Sequence, residues 1–217
     1  AATLALAHWG HLQPGTTLQL ASRSGALAVG LEARWPASAS LVLPGGGLEP
    51  LPVPNALETL LGTTIEAYWG SALGYRVALL DQAMDLAALA FEPGALQAQE
   101  RQGLVLMQAC SGEPADRPQV LGQSADYQLR FFAPGLGIPE DPVTGSAHAL
   151  VAPFWMDLLQ RPRVVGWQCS PRTGGMVLET ASSGMIRLSG TGHLLWNGTL
   201  HVQADGCGAE PWGALLA

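Results

Sequence analysis

Lysine is absent from this chain of 217 residues: all 10 basic residues are arginines, against 17 acidic ones, and the net charge is −7. A Schiff-base lysine is therefore excluded. So is the basic stripe that tracks a nucleic-acid backbone. Cysteine is scarce too. Cys110, Cys169 and Cys207 stand far apart with no CxxC pair, and His8, His11, His193 and His201 show no ligand spacing. A zinc or other metal site is not expected from these residues. Three cysteines suit a reducing, cytoplasmic setting better than a disulfide framework. No apolar run approaches the roughly 20 residues that span a bilayer. The apolar start, Ala1 to Trp9, lacks the basic region of a signal peptide. No GxSxG elbow occurs, so a serine hydrolase is not expected.

What is abundant is apolar residues, 48% of the chain against 12% charged. A chain of this length and composition buries a substantial core in one large domain or two small lobes. Residues 1–9 read as a helix, rich in Ala and Leu and stopped by Gly10 and Pro14-Gly15. Residues 17–21 and 26–31 alternate as strands of a hairpin about a turn at 22–25. A third strand at 40–43 ends at Pro44-Gly45-Gly46-Gly47. That glycine run has neither a following Lys-Ser/Thr pair nor GxGxxG spacing, and reads as a plain connector rather than a phosphate loop. A short helix at 55–61, with Asn55 as N-cap, precedes strands at 67–69, 75–80 and 103–109. Helical turns are expected at 85–89 and 94–101. The polar stretch Ser111 to Pro118 is the best candidate linker, dividing the chain into lobes 1–118 and 119–217. The second lobe is expected to hold a strand at 126–132, a helix from Gly145 to about Leu159, and strands at 176–180, 185–188 and 199–202.

The stretch with chemical character is Glu140-Asp141-Pro142-Val143-Thr144-Gly145-Ser146-Ala147-His148. Pro142 fixes its own backbone and drives Asp141 out of the helical region. Thr144 suits the N-cap, and Gly145 admits a ligand close to the backbone. The first-turn amides then have no partner within the helix and form an anion site that fits a substrate carboxylate. Asp141 could orient a substrate amine or hydroxyl, or take part in proton transfer. Ser146 could donate to a carboxylate or enolate oxygen. The plain alternative is a well-capped helix, although glycine inside the first turn costs roughly 1 kcal/mol. His148, one turn further in, reads as a structural residue.

The halves of the chain echo each other. Ala1 to Trp9 is similar to Ala147 to Trp155, each a small-residue helix ending on tryptophan. Arg23-Ser24-Gly25-Ala26-Leu27 pairs with Arg172-Thr173-Gly174-Gly175-Met176, 14 and 17 residues beyond those tryptophans. The second helix has a strand and loop before it; the first begins at residue 1. The expectation is that the first lobe is incomplete.

Arg130-Phe131-Phe132-Ala133-Pro134, Gly137-Ile138-Pro139 running on through Glu140 to His148, and Pro153-Phe154-Trp155 together resemble the signature of the phenazine-biosynthesis (PhzF-like) family. Ser170-Pro171-Arg172-Thr173-Gly174-Gly175 is near the family's Ser-x-Arg-Gly-Gly with one extra residue, and Ala2-Thr3-Leu4-Ala5 is similar to the end of its Gly-His-Ala-Thr-Leu-Ala. The resemblance implies an α+β, diaminopimelate-epimerase-like fold: two similar lobes, each a curved, mostly antiparallel sheet around a central helix, with the ligand between the helix N-termini. It implies a cofactor-independent, often homodimeric isomerase that moves a proton on a small carboxylate-bearing molecule; the best-known reaction acts on a dihydro-hydroxyanthranilate ring. Asp141 and Ser146 match the family's catalytic positions in the second lobe, with Thr144 and Gly145 lining the substrate. The resemblance further implies a catalytic Glu and a Gly-His pair on an N-terminal segment that these residues are expected to lack. Lack of a general acid/base forfeits about 10²–10⁴-fold in rate. The chain by itself is thus expected to be an inactive or incomplete isomerase. The alternative expectation is a non-catalytic binding protein that keeps the carboxylate pocket.

Overall fold

The computed structural model describes residues 2–22, 25–34, 37–182 and 184–199. The described residues fall into two units, one within residues 1–41 and 191–217 and one within residues 42–190. His201, Cys207 and the strand expected to run on to Val202 lie outside the described residues, as do Arg23 and Ser24 of the expected turn.

In the first unit, α1 (Ala2–His8) is followed by β1 (Thr17–Ser22) and β2 (Gly25–Arg34). The helix ends where the sequence places its stop, at Gly10 with φ +81°. β1 and β2 pair antiparallel from Thr17↔Gly30 to Ser22↔Gly25, the expected hairpin. β3 (Ala37–Pro44) pairs antiparallel with β2 and leads the chain into the second unit.

The second unit contains β4 (Glu49–Leu51), α2 (Asn55–Leu61), β5 (Ile65–Gly70), β6 (Arg76–Leu80), β7 (Leu104–Ala109), β8 (Gln119–Val120), β9 (Gln123–Ser124), β10 (Tyr127–Ala133), β11 (Ile138–Asp141), α3 (Gly145–Leu158), β12 (Arg163–Gln168), β13 (Gly174–Ser182) and β14 (Met185–Thr191). The strands lie in the order β14-β13-β12-β10-β7-β6-β5-β4, with β11 beside β10. β10–β12 and β6–β7 are parallel pairs; β12–β13, β10–β7 and β5–β6 are antiparallel. The result is an α+β fold dominated by sheet.

Alternation along β7 shows where the core sits. Val105 and Met107 join α3 residues Ala147, Leu150, Val151 and Trp155 in one cluster. Leu104 and Leu106 join Leu57 and Leu61 of α2 in another. A strand covered on both faces has no polar alternation, which is why residues 104–107 form a continuous apolar run. α3 is apolar around nearly its whole girth because it too is enclosed. The echoing tryptophans part ways here: Trp155 is 1% exposed and Trp9 is 60% exposed.

Several expectations are corrected. Asn55 opens α2 as its first helical residue, and Pro54 holds the cap position without a side-chain bond. Residues 85–89 make turns without a helix, and of 94–101 only a 3-10 turn over Pro93–Ala95 is helical. Ser111 to Pro118 connects strands of one sheet: β7 and β10, on either side of it, pair over six residues. A division at residue 118 would fall inside the second unit. β12 was not foreseen. Its Gly166 interrupts the apolar pattern because a Cβ there would lie 2.5 Å from both His148 Nδ1 and Tyr127 Oη. Among the described residues no helix is long and apolar enough to cross a membrane.

Candidate functional site

β10 and β11 deliver the loop. Arg130 on β10 holds Glu140 on β11 through two parallel bonds, Nε to Oε1 and Nη2 to Oε2, each 2.7 Å. Its remaining nitrogen, Nη1, donates to the carbonyls of Leu86, at 3.2 Å, and of Leu89. Its guanidinium lies 5.0 Å from the centre of the Phe132 ring. A planar fork suits this chelation as no lysine would. Glu140 is thus a latch, and the candidate site residues begin after it.

Asp141 to Thr144 is closed by one buried side chain. Gln168, 0% exposed, donates from Nε2 to the Asp141 carbonyl at 2.5 Å and accepts the Thr144 amide at Oε1 at 2.7 Å. Ser170 Oγ adds a second bond to the Asp141 carbonyl, 3.2 Å. Val143 rests against Gly174, where a Cβ would stand 2.4 Å from Val143 Cγ2. This explains the glycine of the Ser170 to Gly175 segment: it seats the loop.

Thr144 holds the N-cap position of α3 with an extended backbone, as expected, but its hydroxyl makes no cap bond. It donates instead to Asp141 Oδ2. Asp141 Oδ1 has no hydrogen-bond partner among the described residues. The first helical bond runs from the His148 amide to the Thr144 carbonyl, 3.2 Å. The amides of Gly145, Ser146 and Ala147 therefore precede the helical ladder. At Gly145 a Cβ would meet only Leu188 Cδ2, at 3.7 Å. Packing within the fold does not require glycine there. Ser146, half-buried, places its Oγ 3.3 Å from the Tyr75 hydroxyl.

His148 belongs to the core. It is fully buried, and its Nδ1 is 2.9 Å from Tyr127 Oη. Tyr127 in turn stacks on Trp155, with ring centres 5.2 Å apart and planes 4° apart. Burial lowers the His148 pKa to about 3, so the ring is neutral at neutral pH, and burial pushes the Tyr127 phenol well above its ordinary value.

The structure thus brings Asp141, Thr144, Gly145 and Ser146 together at one helix start and leaves His148 behind them. Three participants escaped the reading of the sequence: Tyr75, Gln168 and Ser170. Ser170 opens the Ser170 to Gly175 motif, and Gln168 stands two residues before it. Tyr75 carries no local signal.

Residues 56–198 match the phenazine biosynthesis-like protein family, PhzC-PhzF. The chain belongs to that family. It is 31% identical over 185 residues to an uncharacterized isomerase of Pseudomonas aeruginosa, a match that covers 85% of this chain and 64% of the relative. It is 37% identical over 98 residues to the bovine (Bos taurus) phenazine biosynthesis-like domain-containing protein, covering 45% of this chain and 32% of that protein. Among solved structures, a PhzF-family protein of Enterococcus faecalis superposes with a TM-score of 0.76 at 28% identity, over 93% of this chain and 72% of that one. The chain therefore spans less than two thirds of these curated relatives' length.

Proposed function

We propose that the loop from Asp141 to Ser146 is the substrate-binding part of an isomerase- or epimerase-like enzyme. It moves a proton on a small carboxylate-bearing molecule by acid/base chemistry, without a cofactor. The amides of Gly145 to Ala147 and the Ser146 hydroxyl take the carboxylate or an enolate oxygen. Asp141, with Oδ2 engaged by Thr144 and Oδ1 open, orients a substrate amine or hydroxyl or shares in the proton transfer.

The observation that carries this reading is Gly145. Glycine in a first helical turn costs roughly 1 kcal/mol against alanine, and no neighbour in the fold needs the missing Cβ. A ligand approaching the backbone supplies the reason. The isomerase name of the Pseudomonas relative supports the reaction class. The homodimer and the cytoplasmic setting expected from the sequence belong to the same proposal.

The test is deuterium uptake from D2O by a panel of small amino and hydroxy acids, with the full-length polypeptide. Exchange should occur with at least one acid. Ser146→Ala should then lower kcat/KM by about 10²-fold, and Asp141→Asn by about 10²–10⁴-fold. Ligand-induced heat stability with no exchange would favour a binding protein instead. Unchanged binding in both variants would remove this loop from the site.

A further inference from the structure

Tyr75 lies 71 residues from Ser146 in the chain, yet the two hydroxyls are 3.3 Å apart. Three features hold the phenol there. Its backbone is tied at both ends to one side chain, Ser71 Oγ, which accepts from the Tyr75 amide at 3.2 Å and donates to the Tyr75 carbonyl at 3.1 Å. The turn between them is closed by Gly74, with φ +78° and its amide 3.0 Å from the Ser71 carbonyl. The ring packs on Phe131, ring centres 5.0 Å apart. Beside the ring is Gly103, where a Cβ would stand 2.4 Å from Tyr75 Cδ1. Glycine at 103 is what leaves space for the ring. The phenol is therefore built into the β5–β6 turn and aimed at the start of α3.

We infer that Tyr75 is a positioning residue that donates its hydroxyl proton to Ser146 Oγ and so turns the Ser146 proton toward the bound carboxylate. A phenol is the stronger acid of the two, so the bond is stronger with Tyr75 as donor. Ser146 has one proton to give, and a serine rotor is otherwise free to spend it on Tyr75. With its oxygen already accepting, Ser146 keeps that proton for the ligand. A chain of two hydroxyls also polarises the outer one, which strengthens its bond to an anion. This inference rests on the binding reading of the Asp141–Ser146 loop. It adds a residue that acts through Ser146 rather than touching the substrate.

The test is a double-mutant cycle on the full-length polypeptide, with benzoate as the carboxylate probe and benzamide as its uncharged counterpart. Binding is read by NMR titration at the amides of Gly145, Ser146 and Ala147. Tyr75→Phe keeps the ring contact with Phe131, and thermal unfolding checks that the fold is retained. Gly103→Ala displaces the ring without altering the phenol and serves as an independent perturbation if Tyr75→Phe fails to fold. The expected result is benzoate binding weakened about five- to tenfold by Ser146→Ala and by Tyr75→Phe. The double variant should be no weaker than Ser146→Ala alone, and benzamide should respond little. Wild-type affinity in Tyr75→Phe alongside a weakened Ser146→Ala overturns the inference and leaves the site reading standing. Additive losses overturn it too, since Tyr75 would then act independently of Ser146. If benzoate does not bind, or Ser146→Ala binds it unchanged, the site reading fails and the inference with it.

Discussion

Arg130 and Glu140 chelate each other through two parallel 2.7 Å bonds, with their side chains only 9% and 16% exposed. The pair joins β10 to β11 just ahead of the Asp141 loop, and Arg130 also anchors the turns at Leu86 and Leu89. Removing one partner of a largely enclosed ion pair leaves the other charge without compensation, at a typical cost of about 3–5 kcal/mol. Glu140→Gln keeps the shape and loses the charge. It is expected to lower unfolding stability by about 2–4 kcal/mol, read from the urea midpoint at constant slope. A loss under about 0.5 kcal/mol, typical of a surface pair, would show that the latch is not structural.

Gln168 makes a different kind of staple. One neutral amide donates to the Asp141 carbonyl and accepts from the Thr144 amide, standing in for a peptide group across the turn. Gln168→Ala should cost about 1–3 kcal/mol by leaving the buried Thr144 amide unpaired, and should speed hydrogen exchange at that amide. Gln168→Glu turns a donor into an anion facing a carbonyl, so at pH 7 it should cost more than Gln168→Ala. Burial raises the pKa of the introduced carboxyl above its unfolded value. Its stability is therefore retained at low pH and lost as pH rises through the folded pKa. Thermal melts at pH 4.5 and 7.5 should show the gap between the two variants narrowing at the lower pH.

The loop's local character was legible in the chain because Pro142, Thr144 and Gly145 act on their own neighbourhood. The turn, the helix start and the free amides follow from preferences of adjacent residues. What holds the loop was not legible. Gln168 reaches Thr144 across 24 residues only because β12 runs parallel to β10, and β12 was hidden by Gly166. Tyr75 reaches Ser146 only through the order β6, β7, β10 within one sheet. The most apolar strand was easy to see, and α3 was placed to within a residue at its end, since enclosed elements carry long unbroken patterns. The short strands β4, β8 and β9 carry two or three residues each, too few to show a period.

His148 gives the fold an acid limit. Its folded pKa lies at about 3, below the ordinary 6.5, because burial penalises the charged ring. Between these values the unfolded chain binds a proton that the folded one refuses. The stability is therefore present in full above pH 6.5 and falls as pH drops, at about 1.4 kcal/mol per unit. His148→Gln retains a partner for Tyr127 and cannot titrate. From pH 6.5 to 5 the wild type should lose about 2 kcal/mol more than this variant, measured by urea unfolding. Parallel losses in both proteins would assign the acid limb to carboxylates alone.

The triple glycine offers the sharpest contrast between neighbouring positions. It reads in sequence as a connector, and two of its members behave differently in the fold. A Cβ at Gly46 would stand 1.9 Å from Leu150 Cδ1 and 2.9 Å from Leu150 Cα, whereas a Cβ at Gly47 meets nothing within 4 Å. The Leu150 side chain has room to shift only against a full core, and its backbone sits in the middle of α3, five residues beyond Gly145. Adding a methyl at Gly46 therefore pushes on the helix that begins at the candidate site. Gly46→Ala should cost about 1–3 kcal/mol by overpacking, and should move the amide resonances of Gly145 and Ser146. Gly47→Ala should fall within about 0.5 kcal/mol of the parent. Equal unfolding midpoints for the two variants would mean that the glycine run is a connector after all. The expected inequality would make Gly46 the seat on which the α3 backbone rests.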